Sequence, residues 1–257
     1  MSDIESASGK TRVTGRTRTA VIALDRWILR LARHWALVFN LFIFLYVGIP
    51  FLAPVFMAAG YTGPARAIYT VYSGLCHQLG YRSWYLFGER LYYPRDLFQQ
   101  YSGIDPNYIE PNGYPSGFWE SRGFVGNERM GYKVAFCQRD VAIYGAILFG
   151  GLLYAVPVVR RRLKPLHWLG WILIGIVPVA FDGFSQLFSQ YPYNTLPLLA
   201  SLPYRESTPL LRAITGGLFG VANVWLAYPY VEESMQEIQR DLEVKLGRVD
   251  RGQSPAS

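Results

Sequence analysis

Apolar residues in this chain gather into long uncharged runs instead of the short periodic patterns of a water-soluble fold. The first run, WALVFNLFIFLYVGIPFLAPVFM, covers residues 35–57 without a charge. At a helical rise of about 1.5 Å per residue it exceeds the roughly 30 Å of a bilayer's hydrocarbon core. Pro50 and Pro54 lie in its last third, where a kink is tolerated if neighbouring groups satisfy the freed carbonyls. VAIYGAILFGGLLYAVPVV, 141–159, is shorter but also uncharged, residues 167–188 are apolar apart from Asp182 and Gln186, and 213–231 form the last run. The pattern predicts an all-α fold, a polytopic membrane bundle of four transmembrane helices.

The connectors complete this picture. AIYTVYSGLCHQLG, within 65–80, is apolar but too short to cross, and predicts a re-entrant or interfacial half-helix on the outer face. The remainder of 58–138 is dense in Tyr, Trp, Phe, Gly and Pro, which predicts an irregular extracytoplasmic cap of turns and short helices at headgroup level. In the tail, Met235, Ile238, Leu242 and Leu246 recur every three or four residues and predict a helix continuing the last span. The expected organisation is a basic cytoplasmic arm at 1–34, a membrane domain at 35–231 and a cytoplasmic tail helix at 232–257.

Charge sets the orientation. The chain is 51% hydrophobic and 17% charged, and its net charge of +7 is concentrated beside the spans. Lys10, Arg12, Arg16, Arg18, Arg26, Arg30 and Arg33 precede the first, RRRLK links the second and third, and Arg240, Lys245, Arg248 and Arg251 follow the last. Four crossings put all three groups on one side, and an excess of Lys and Arg marks the cytoplasm. Both termini are thus expected inside a cell membrane, with the cap outside. The arginines fit topology and anionic lipid headgroups, and no nucleic-acid-binding motif accompanies them. The first apolar run begins late and lacks a small-residue cleavage site, so it is expected to stay in the mature protein. Gly-rich faces such as Gly216 and Gly220 permit close helix approach, within the chain or in an oligomer.

The polar exceptions carry the candidate chemistry. Cys76 and His77 are expected at the end of the half-helix with Arg82 following it, and Cys137, Arg139 and Asp140 precede the second span. Asp182 and Gln186 share a face of the third span, while Glu206, Arg212 and Thr215 surround the start of the fourth. All are expected at one depth near the outer interface. An ionisable group inside a span costs several kcal/mol unless it is paired or hydrated, so Asp182 needs partners, with Arg139 and Arg212 as candidates. Thiolate, imidazole and carboxylate suit zinc, which makes Cys76, His77, Cys137 and Asp140 a candidate ligand set and Zn2+ the candidate cofactor. A Cys76–Cys137 disulfide is the competing assignment, favoured by an even cysteine count on an oxidising face.

The segments CHQLGYRSWYLFG, FCQRDVAIYG, DGFSQL and ESTPLLRAITGGLFG, spread over about 70–232, resemble in order the motifs of DUF2085, an uncharacterised family of prokaryotic integral membrane proteins. That family often carries Cys-x-Arg-Cys where this chain has Cys137, Gln138, Arg139 and Asp140. The resemblance implies a Cys-His-Cys-Cys set, three thiols and an imidazole, in relatives, weakened here by Asp140, and it implies no activity.

Two functions follow. In one, an outer-face enzyme holds a metal at Cys76, His77, Cys137 and Asp140, Asp182 serves as base with Gln186 beside it, and Arg139 or Arg212 clamps an anionic lipid-type substrate bound further by Arg82, Glu206 and Thr215. In the other, the cluster is structural and the protein is an accessory or assembly subunit. No Ser-His-Asp order, phosphate-binding glycine loop, haem motif or His-Glu-x-x-His is present, and three histidines exclude a multi-histidine two-metal site.

Overall fold

The structure, a computed structural model, describes residues 16–251. Lys10 and Arg12 of the predicted basic arm lie outside the described residues. The helices are α1 (Arg16–Arg33), α2 (Trp35–Ala58), α3 (Thr62–Ser73), α4 (Arg95–Ser102), α5 (Ser116–Gly123), α6 (Gln138–Ala155), α7 (Pro157–Arg162), α8 (Trp168–Trp171), α9 (Val177–Phe188) and α10 (Pro209–Asp250). Among the described residues, three stretches are long and apolar enough to cross a membrane: Trp35–Ala58, Trp168–Phe188 and Pro209–Asp250. Phe42, Phe44, Phe181 and Leu210 stand exposed on them. Apolar surface of that extent is what lipid covers.

The second predicted run does not form a helix of that kind. Its continuity is cut at Pro157, which starts α7, so α6 stops at Ala155. The first turn of α6 is Gln138, Arg139 and Asp140, which leaves 18 residues with a polar beginning. Between α8 and α9 the helix widens into a π-helical stretch at Ile172–Ile176, just ahead of Pro178. A proline has no N–H for the carbonyl four residues back and its ring crowds that carbonyl, so the ladder shifts register there.

The cap corrects the all-α expectation. Strands β1 (Ser83–Leu86), β2 (Gly126–Asn127) and β3 (Gly131–Cys137) form an antiparallel sheet in the order β1-β3-β2. Tyr, Val and Phe in GYKVAFC favour an extended chain, but Lys133 in their midst obscures the apolar pattern. Lys133 is nevertheless buried, and its Nζ donates to the carbonyls of Gln78 (2.6 Å) and Arg122 (2.7 Å). Burial lowers its pKa to about 7. The sheet packs Val134, Ala135 and Phe136 against Tyr69 and Tyr72 of α3 and Ala53 of α2. A second cluster, including Tyr81, Tyr85, Tyr93, Phe98 and Met130, fills the rest of the cap.

The chain divides into two compact units, one formed by the N-terminal part up to Phe39 with the part from Pro229 onward, the other by Asn40–Tyr228. In the first, Arg33 pairs with Glu243 at 2.7 Å, Lys245 with Asp25 at 2.7 Å, and Trp35 donates to Glu232 at 2.8 Å. Leu246, the end of the predicted stripe, is buried in this unit. In the second, α10 approaches α6 closely: a Cβ on Gly216 would sit 2.9 Å from the Arg139 carbonyl oxygen, and one on Gly220 would clash with that of Ile143. The glycine face of α10 is therefore occupied by α6 of the same chain.

Candidate functional site

The junction of β3 with α6 places the second thiol. β3 ends at Cys137, paired across the sheet with Ser83, and Cys137 is the N-cap of α6. Its sulfur accepts from the Asp140 backbone N–H at 3.5 Å, and its thiol donates to the Asp140 carboxylate at 3.1 Å. This is the ordinary capping geometry with sulfur replacing oxygen.

Cys76 arrives by a different route. α3 ends at Ser73, so Cys76, His77 and Gln78 lie beyond the helix, not at its end. Gln78 then adopts a left-handed φ of 52°, a conformation uncommon for a non-glycine residue and held here by tertiary bonds. Its side chain donates to the Tyr69 carbonyl at 3.0 Å while its own carbonyl accepts from Lys133. The turn lays the Cys76 sulfur against two backbone N–H groups, Gln78 at 3.5 Å and Cys137 at 3.3 Å. The ligand atoms of Cys76, Cys137 and Asp140 come within 4.8 Å of one another. These three residues could hold a metal ion. Hydrogen bonding to Cys137, followed by burial, pushes the Cys76 thiol well above the ordinary thiol range.

Two expectations change here. His77 does not join the three: it is exposed and meets Phe118 edge-on, with ring centroids 6.4 Å apart. Neighbouring residues project in different directions, and the turn that buries Cys76 turns His77 outward. Cys76 and Cys137 are also both free thiols, so the competing disulfide is not formed.

Beside the thiols lies a cavity of about 210 Å³, lined by Cys76, His77, Arg82, Cys137, Arg139, Asp140, Gln186 and Arg212, with Leu75 and Leu79 among its apolar residues. Chain segments far apart in sequence thus supply one wall each. Behind this surface, Glu206 gathers the cations. Its carboxylate accepts from Arg82 at 2.9 and 3.2 Å, Gln186 at 2.6 Å, Gln190 at 2.9 Å and Arg212, and Arg95 stands 3.6 Å away. Burial raises the Glu206 pKa, but the arginines outweigh it and hold the group below the ordinary carboxylate range.

Asp182 is buried and is not a lining residue. Its carboxylate accepts from Arg139, from Arg205 at 2.9 Å and from Ser207 at 2.8 Å. Arg212 donates instead to Gln138 at 3.0 Å and to Glu206. Thr215 is also buried, but its hydroxyl donates to the Leu211 carbonyl of its own helix at 2.8 Å and it does not line the cavity. The sequence reading omits Arg95, Gln138, Gln190 and Arg205. Arg205 adjoins Glu206 and could have been included by proximity; Arg95 lies in the cap and carries no local signal.

No solved structure matches the chain. An uncharacterized protein of Methanocaldococcus jannaschii, MJ1492, is 25% identical over 205 residues, covering 77% of this chain and 92% of its own length. Residues 127–226, which contain Cys137, Arg139, Asp140, Asp182, Glu206 and Arg212 but not Cys76, match the family model DUF2085, described as a predicted membrane protein.

Proposed function

We propose that this protein is a four-span membrane protein with a zinc-type metal centre at its extracytoplasmic face, where it binds or acts on an anionic lipid-type molecule. The observation that carries this reading is the approach of two thiols and a carboxylate to within 4.8 Å at the edge of an arginine-lined cavity. Tetrahedral zinc, with bonds of about 2.0–2.3 Å, keeps its ligand atoms roughly 3.3–3.8 Å apart, so closure needs side-chain movement on the order of 1 Å. Three protein ligands leave a fourth position for water or substrate, the pattern of catalytic zinc sites.

The fourth span in this reading is α6. Its 18 residues extend about 27 Å, enough to cross if the polar first turn remains in the headgroup layer. That turn, Gln186 near the end of α9 and Arg212 at the start of α10 share one end of the helices, and the charge pattern assigns this end to the outside. Asp182 takes a holding role, because three donors already occupy its carboxylate. It fixes Arg139 at the cavity wall.

Metal analysis of the detergent-purified protein, with thiol counting on the same sample, tests the reading. The expected result is close to one equivalent of zinc, lost in Cys76→Ser and Cys137→Ser and kept in His77→Ala. A metal-free protein with oxidised Cys76 and Cys137 would overturn it and favour the accessory subunit.

A further inference from the structure

We infer that the cavity is a phosphoryl site, in which Arg82, Arg139 and Arg212 hold the oxygens of a dianionic phosphate, either a phosphomonoester headgroup or free phosphate. The inference rests on the reading of this cavity as a ligand site and names the ligand's chemical class.

The charge balance comes first. Five guanidinium groups, those of Arg82, Arg95, Arg139, Arg205 and Arg212, converge on two carboxylates, Asp182 and Glu206, with Asp140 as a third at the cavity wall. Two positive charges are left uncompensated. A divalent cation on two thiolates and Asp140 leaves the same balance, so the excess does not depend on the metal. A phosphomonoester near neutral pH carries about −1.5 to −2 and neutralises it, whereas a carboxylate or a phosphodiester supplies only one negative charge.

Donor geometry agrees. Arg82 donates to Glu206 and Gln190 through Nε and Nη2, and Arg139 donates to Asp182 through Nη2. These bonds orient the guanidinium planes, and the buried Arg139 Nε has no partner among the described residues. A buried N–H without an acceptor is costly. A phosphate oxygen in the cavity would relieve it. Cys137, Arg139 and Asp140 bring the N-terminus of α6 to the same wall, adding the positive end of an 18-residue helix.

Size and rim narrow the ligand. A volume near 210 Å³ falls below the roughly 300–1,000 Å³ typical of pockets that enclose a whole ligand, and it suits a headgroup. Leu75, exposed at the rim, offers an apolar path for whatever is attached to the phosphate.

The test measures inorganic phosphate binding to the full chain in detergent at constant ionic strength, with dimethyl phosphate as the monoanionic control. Phosphate is expected to saturate at least tenfold more tightly than dimethyl phosphate, and Arg139→Gln and Leu75→Trp each to weaken it tenfold or more. Leu75→Trp fills the cavity without touching any ion pair, so it keeps the test decisive if Arg139→Gln does not fold. Competition by phosphatidylcholine vesicles containing phosphatidic acid, but not by vesicles containing phosphatidylglycerol, identifies a lipid source; phosphate binding without such competition identifies free phosphate. Equal binding of both anions, or phosphate binding unchanged in Leu75→Trp, overturns the inference. Metal content read on the same samples separates the two proposals: zinc retained without phosphate binding defeats this one alone, and phosphate bound without zinc supports this one while defeating the metal centre.

Discussion

Asp182 and Asp140 are both acidic residues close to Arg139, and they differ in how fully they are used. The Asp182 carboxylate is buried under two arginines and a serine, whereas Asp140 has the Cys137 thiol as its side-chain donor and faces the cavity. A saturated carboxylate stabilises; one with free lone pairs beside two thiols can still take a ligand. The difference separates framework from site within a single network.

Removing the framework carboxylate should have the largest effect. Asp182→Asn leaves Arg139 and Arg205 facing a group that no longer balances them, and breaking a buried pair this way costs about 3 kcal/mol. The lower end of the usual range applies because these arginine side chains keep 23% and 33% of their exposure. Asp140→Asn should cost under about 1 kcal/mol. Thermal unfolding in detergent measures both, and equal losses would break the comparison.

Zinc should act on the opposite member of the pair. At a free concentration a hundredfold above its Kd, an ion bound only by the folded state adds about 2.7 kcal/mol. Unfolding midpoints measured with and without zinc should show this increment retained in Asp182→Asn and lost in Cys137→Ala. Loss in both variants would mean that the carboxylate behind the wall is itself needed to shape the ligand site.

Per pH unit, a smaller effect comes from the lysine that braces Gln78. The folded pKa of Lys133, about 7, lies below its unfolded value of 10.5. Between these values the unfolded chain binds more protons, so stability rises with pH across that window, by at most about 1.4 kcal/mol per unit, and is flat below it. Urea unfolding of the wild type from pH 6 to 10 should show the slope, and Lys133→Met should remove its share. Thr215→Val should change stability least, by about 0.5 kcal/mol, because the hydroxyl bonds only to its own helix. A larger loss on thermal unfolding would give Thr215 a role in the wall.

The sequence by itself determined what is local. Apolar runs longer than a bilayer's core mark Trp35–Ala58 and Trp168–Phe188 as apolar helices, and the spacing of Cys137 and Asp140 places them on one helical turn. The short arm of α6 and the π-helical stretch before Pro178 depend on prolines visible in the sequence, but their effect on the ladder is read only from the helix itself. The tertiary structure decided what is distant. Cys76 meets Cys137 across 61 residues because a left-handed turn at Gln78 is held by Tyr69 and Lys133. Arg95 reaches Glu206 from the cap, and Lys133 hides a strand that hydropathy reads as interrupted. Hydropathy reports how each segment partitions between water and an apolar phase. It carries no information about which buried donor meets which acceptor, because that depends on chain segments brought together only by folding.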